Sequence, residues 1–146
     1  MSVAQQAVFD NGNQAGLLAQ SLFHGGVDLR PESARDFRES LAHTAAAIAN
    51  GAAVLYKAAF MHDDVLAAVD ILCRIGDMWH AYEVKVTRSV KPQHIEDAAL
   101  QYHVLTSAGV SLHDIRIVHL DTQYVRRGAL DLTALFRIVA VRGDIR

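Results

Sequence analysis

Two apolar runs flank the dipeptide Gly76-Asp77, and they constrain the fold more than any other stretch of the chain. Residues 65–75 and 79–87 are rich in β-branched and aromatic side chains, as strands are. A glycine at the first turn position suits a two-residue type II′ hairpin. That turn fixes a register in which Ile75 faces Met78, Cys73 faces His80 and Asp70 faces Glu83. Directly opposed residues point to one face, with Cβ atoms about 5 Å apart. Lys85 lies two residues beyond Glu83, so the strand period puts it on that face as well. Ile71, Cys73, Val84 and Val86 point to the other face and are expected to build core.

Two carboxylates facing each other repel, and charge embedded in apolar strands is costly unless it is paired or bound. One reading of Asp70, Glu83 and Lys85 is a pocket for a hard divalent cation such as Mg²⁺, which takes oxygen ligands and often only one or two protein carboxylates. The other is a solvated sheet face on which Lys85 neutralises an acid, since antiparallel sheets commonly keep one polar face. The spacing alone leaves both open.

Around the hairpin the pattern alternates between helical and strand periods. Leu17, Leu18, Leu22 and Phe23 recur at helical spacing over residues 13–23, and His24-Gly25-Gly26 ends that pattern. A second helix starts near Pro31 and Glu32, carries Phe37, Leu41, Ala45 and Ile48 as its stripe, and stops at Asn50-Gly51. Residues 52–60 read as a strand and His62-Asp63-Asp64 as a turn. After Lys91-Pro92 a helix runs to Ala108, with Ile95, Ala98 or Ala99, Tyr102 and Leu105 along one side and Gly109 beyond its end. A strand over 115–120 follows, then a short helix near 132–136 and a last strand. The expected architecture is one α/β (α+β) domain over residues 1–146, with a central mixed sheet flanked by helices.

Length supports that count, because 146 residues suffice for one hydrophobic core and not comfortably for two. The chain is 51% apolar and 21% charged, which excludes a disordered chain. A net charge of -2 excludes a strongly basic nucleic-acid module, although acids around a metal would offset basic groups facing phosphate. The single cysteine, Cys73, forbids an intrachain disulfide and a cysteine-only zinc or iron–sulfur site. With no signal-peptide pattern and no long apolar span, a cytoplasmic, non-membrane protein is expected. Its sheet edges make it a candidate homodimer, and the chain could separately be one module of a longer protein.

Asp70, followed on the next strand by Glu83-Val84-Lys85, resembles the signature of the PD-(D/E)XK nuclease superfamily. The helix bearing Gln101-Tyr102 resembles the glutamine-containing helix of its RecB-like branch, and the element order over 52–120 is similar too. The resemblance implies a restriction-endonuclease-like core and a divalent-metal-dependent nuclease hydrolysing phosphodiester bonds of DNA. It implies Mg²⁺ or Mn²⁺ held by the Asp70 and Glu83 carboxylates and the Val84 carbonyl, with Lys85 acting on the attacking water and the scissile phosphate. Gln101 would steer substrate or support the site. A catalytically inactive module that binds nucleic acid or a partner protein is the alternative. The chain departs from the pattern in two places: no acid lies between Asn13 and Phe23, and the first strand carries Lys57 where an acid could stand.

The remaining polar features carry weaker signals. His94, Asp97 and Gln101 share one helix face, which reads more readily as a polar surface than as part of a site. Arg126-Arg127, with Arg116 and Lys91, could rim a phosphate site but reads first as solvated charge. Trp79 is expected to pack or to cap the hairpin, and Cys73 to be buried and inert.

Overall fold

The computed structural model describes residues 12–30, 37–121, 124, 128–129 and 131–141. In chain order the elements are α1 (Gly12–Gln20), β1 (Val27–Asp28), α2 (Phe37–Ala49), β2 (Val54–His62), β3 (Val65–Ile75), β4 (Met78–Val84), α3 (Pro92–Ser107), β5 (Leu112–Leu120), α4 (Leu132–Leu135) and β6 (Phe136–Ala140). The six strands form one mixed sheet in sequential order. β1–β2 and β4–β5 are parallel pairs, and the other three are antiparallel. The expected α/β domain with a helix-flanked mixed sheet is what the chain forms.

Turn chemistry sets the two hairpins. Asp63 and Asp64 both adopt positive φ, 49° and 64°, as a type I′ turn requires. Gly76 supplies φ 62° at the second turn, and the β3–β4 register is the expected one, with Ile75 opposite Met78 and Cys73 opposite His80. The crossover from β4 through α3 to the parallel β5 is a βαβ unit. Pro92 opens α3, where its missing N–H costs nothing, and the Lys91 N–H donates to His94 Nδ1 at 2.9 Å.

Helices cover both faces of the sheet. One core joins Leu55, Val69, Leu72, Trp79, Ile115 and Ile117 to Ala47 and Ile48 of α2 and to Ala98, Val104 and Leu105 of α3. The other joins Ile71, Cys73, Tyr82, Val118 and Phe136 to Leu18 and Ala19 of α1 and Leu135 of α4. Ile71, Cys73, Val84 and Val86 thus build core as expected, on the α1 face. Trp79 packs in the α2/α3 core rather than capping the hairpin. Burial pushes the Cys73 thiol up to about 11, the condition of an inert cysteine.

Several boundaries differ from expectation for identifiable reasons. β4 stops at Val84 rather than at Thr87, because β3 no longer pairs with it there; beyond it the backbone bonds to β5, through Lys85 N–H to Val118 O and Leu120 N–H to Thr87 O, both 2.8 Å. β5 begins at Leu112, three residues early, since Asp114 is buried with partners and a polar stretch can therefore lie inside the sheet. β1 is only two residues long, too short for any period to show. α1 ends at Gln20, and Ser21 to Phe23 continue as turns bonded to Leu18, Ala19 and Gln20 carbonyls. The expected helix start at Pro31 and Glu32, and the Arg126-Arg127 pair, lie outside the described residues.

One irregularity positions the site. Along β3, Ala67, Val69 and Leu72 face the α2/α3 core, whereas Ile71 and Cys73 face the α1 side. Two-residue alternation therefore slips by one residue at Asp70. On β2 it slips at Lys57, between Tyr56 on one face and Ala58 on the other. Lys57 carries the slip with a left-handed φ of 58°, uncommon for a residue with a Cβ. Both strands slip at the same level, so the pairing of Tyr56 with Ile71 and of Ala58 with Val69 continues across it.

Candidate metal centre

Asp70 and Glu83 stand where β4 parts from β3. The backbone ladder between the two strands is regular as far as Ile71–Tyr82. At the next level the side chains take over. The Asp70 N–H donates to Glu83 Oε1 at 3.0 Å, and the Val84 N–H donates to Asp70 Oδ2 at 2.8 Å. Each carboxylate satisfies a backbone donor that the splaying strands would otherwise orphan. The sequence-derived juxtaposition of Asp70 and Glu83 is therefore present, as a reciprocal side-chain-to-backbone lock.

Charge is distributed differently from the simple picture of two acids and Lys85. Lys57 of β2 forms an ion pair with Asp70 Oδ1, with side chains only 26% and 15% exposed. Lys85 lies just beyond β4 and donates to Asp97 Oδ2 of α3 at 3.1 Å. Glu83 is 5% exposed and has no cation bound directly to it among the described contacts. Burial, and then the negative charge of Asp70, push its carboxyl up to about 8; the Asp70 N–H, the Gln101 side chain and the Lys85 charge oppose that rise. Glu83 is thus an acid held in its neutral form near pH 7, beside an ionised neighbour.

The α3 face completes the arrangement. Gln101 hydrogen-bonds Glu83, while its Oε1 is buried without a partner. Asp97 holds Lys85, and His94 is buried, its imidazole kept below the usual range by burial and then by the Lys85 charge. The helix face reading of His94, Asp97 and Gln101 as plain polar surface is corrected: two of the three reach Glu83 or Lys85 directly, and His94 is interior. Lys57 is the residue that sequence reasoning missed as a partner. Its signal is present, because taking Asp63-Asp64 as the β2–β3 turn places Lys57 opposite Asp70. Arg116 belongs elsewhere, bound to Asp114 at 2.9 Å, and Lys91 precedes α3.

Among the described residues no group of three or more His, Cys, Asp or Glu side chains is arranged to hold a metal ion. A hard cation such as Mg²⁺ needs fewer, since one or two carboxylates with waters suffice. The donor chemistry here fits such a cation: two adjacent carboxyl groups, one kept neutral by burial and by its neighbour's negative charge, and the unpartnered Gln101 oxygen. Asp70, Glu83 and the Val84 carbonyl would hold it, with Lys57 giving up its place on Asp70. No helix among the described residues is long and apolar enough to cross a membrane. Compared with family models, with curated proteins and with solved structures, the chain finds no match.

Proposed function

We propose that the chain is a divalent-metal-dependent nuclease domain of PD-(D/E)XK type, cleaving phosphodiester bonds of DNA at the Asp70–Glu83 pair. The observation that carries this reading is the buried Glu83, raised to about 8 beside Asp70 with Lys85 and Gln101 reaching in from the same side of the sheet. Strongly perturbed carboxyls at the carboxyl end of a parallel strand are a recurring mark of reactive sites.

The cation, Mg²⁺ or Mn²⁺, would polarise the scissile phosphate as a Lewis acid and make water a better nucleophile. The chain's own groups have distinct tasks. Asp70 and Glu83 bind and orient, and Gln101 fixes the Glu83 carboxyl from α3. Lys85, released from the half-exposed Asp97, offers its ammonium to the phosphate oxygens or to the attacking water. Lys85→Ala should lower the cleavage rate at least ~100-fold, the usual scale for losing one such group. The assay is cleavage of single- and double-stranded DNA with Mg²⁺, with Mn²⁺ and with EDTA. No cleavage of either DNA with either cation would sink the enzyme reading.

A second reading has its own support. Both Asp70 oxygens are already engaged, by Lys57 and by the Val84 N–H, as in a site that has become structural. A catalytically inactive nuclease-fold module would bind DNA or a partner protein without cleaving it, and Asp70→Ala would leave that binding unchanged.

A further inference from the structure

We propose that Lys57 is a built-in counter-ion that competes with the divalent cation for Asp70 and so sets how tightly the site binds it. This rests on the cation reading of the Asp70–Glu83 pair given above.

Three observations converge on Lys57. Its ammonium sits on Asp70 Oδ1, on the carboxylate that would otherwise share a cation with Glu83. The contact is three-quarters shielded from water on the lysine side, where an ion pair is screened far less than at the surface. And the backbone at Lys57 adopts φ 58°, which costs free energy for a residue with a Cβ. The left-handed residue and the slip in alternation fall at the same level on β2 as Asp70 on β3. The left-handed residue thus sits where the lysine meets the acid. A lysine serving only to solvate one face of a hairpin needs no such left-handed backbone.

Competition follows from simple electrostatics. A divalent cation and an ammonium cannot both sit against the same Asp70 oxygen, because their charges repel at contact distance. Binding of the metal must therefore break the Lys57–Asp70 pair and move the ammonium outward. The lysine stem is long enough for that, and its flexible head can then remain near the site or turn toward an incoming phosphate. With Lys57 in place the free protein is charge-balanced and its affinity for the cation is moderated.

The test is calorimetric titration of Mn²⁺ into the whole chain and its variants, with no substrate present. Lys57→Asn removes the charge and tolerates a left-handed backbone; Lys57→Gly does both without a side chain and serves as a second neutral variant. Lys57→Arg keeps the charge. Both neutral variants should bind Mn²⁺ about tenfold tighter or more, the equivalent of losing one ion-pair competitor, while Lys57→Arg stays within about threefold of the parent. A lysine that only staples the sheet predicts the reverse, with neutral variants binding no tighter. If the parent binds Mn²⁺, Glu83→Gln abolishes it and the neutral Lys57 variants do not tighten it, competition is overturned while the cation reading stands. If neither the parent nor the neutral variants bind Mn²⁺, the cation reading fails and the competition fails with it.

Discussion

Two buried acids, Glu83 of β4 and Asp114 of the neighbouring β5, lie on opposite faces of the sheet and are held in opposite ways. On the α1 face, Asp114 of β5 has one oxygen on Arg116 Nε at 2.9 Å and the other on His80 Nδ1 at 3.2 Å, and the Arg116 guanidinium also lies 6.0 Å from the Tyr82 ring centroid. On the α3 face, Glu83 is met by neutral donors, the Asp70 N–H and the Gln101 side chain, and by the negative charge of Asp70. Asp114 has a dedicated cation, as buried acids in structural networks do. Glu83 has none of its own, and burial together with the Asp70 charge keeps its proton on up to about 8. The contrast separates an acid paired with a cation of the fold from an acid that has no cation bound to it.

The sharpest way to break that comparison is to remove each acid in turn. Asp114→Ala strands Arg116 and His80 and should cost roughly 2–3 kcal/mol, less than a fully buried pair because Arg116 is 37% exposed and can reach water. Chemical denaturation would show it as a lower midpoint at unchanged slope, equally with and without Mn²⁺. An unaffected midpoint would mean that Asp114 is no structural anchor.

Glu83→Gln should act in the other direction. Glu83's value in the folded state lies above its ordinary 4.5, so the native state binds the proton more tightly than the unfolded chain does. Its contribution is therefore full below about 4.5 and is lost as pH rises toward 8. Without divalent cation, the parent should lose stability across that window, and Glu83→Gln should remove that part of the slope. Near pH 8.5 the variant should be the more stable by roughly 2 kcal/mol, a conservative share of the shift. Added Mn²⁺ should recover the parent and leave the variant unchanged.

Asp97→Asn should have the smallest effect on stability, within about 0.5 kcal/mol, because Asp97 is 55% exposed and such pairs contribute little. Its value lies in what it frees. Without Asp97 to hold it, the Lys85 ammonium should turn toward the acid pair, and the pH at which Glu83 gives up its proton should fall. An NMR titration of the Glu83 carboxyl carbon would register that movement, and an unchanged midpoint would place Lys85 too far away to matter.

Much of this was legible in the residues. Gly76-Asp77 specifies the hairpin turn, the turn specifies the register, and the register brings Asp70 beside Glu83. The α3 boundaries follow from Pro92 and Gly109 within one residue. Other features leave no mark. A left-handed lysine in mid-strand has no sequence signature, so the slip at Lys57 and Asp70 is invisible to a period count. β1 is too short to show alternation, and Asp114 reads as a strand-breaker until Arg116 and His80 are seen beside it. The polar face of α3 was legible as spacing but not as burial, since His94, Asp97 and Gln101 would be spaced identically on a helix facing water. The counter-ion partnership sits between these cases, because the Asp63-Asp64 turn encodes it once the same counting is extended from β3 to β2.

The most direct test of the central claim is anomalous diffraction from crystals grown or soaked in Mn²⁺ near pH 7.5. A Mn²⁺ peak is expected, bonded to carboxylate oxygens of both Asp70 and Glu83 at about 2.1 Å, with the Lys57 ammonium displaced from Asp70. Millimolar Mn²⁺ that leaves Lys57 on Asp70, with no anomalous density between the two acids, would contradict it.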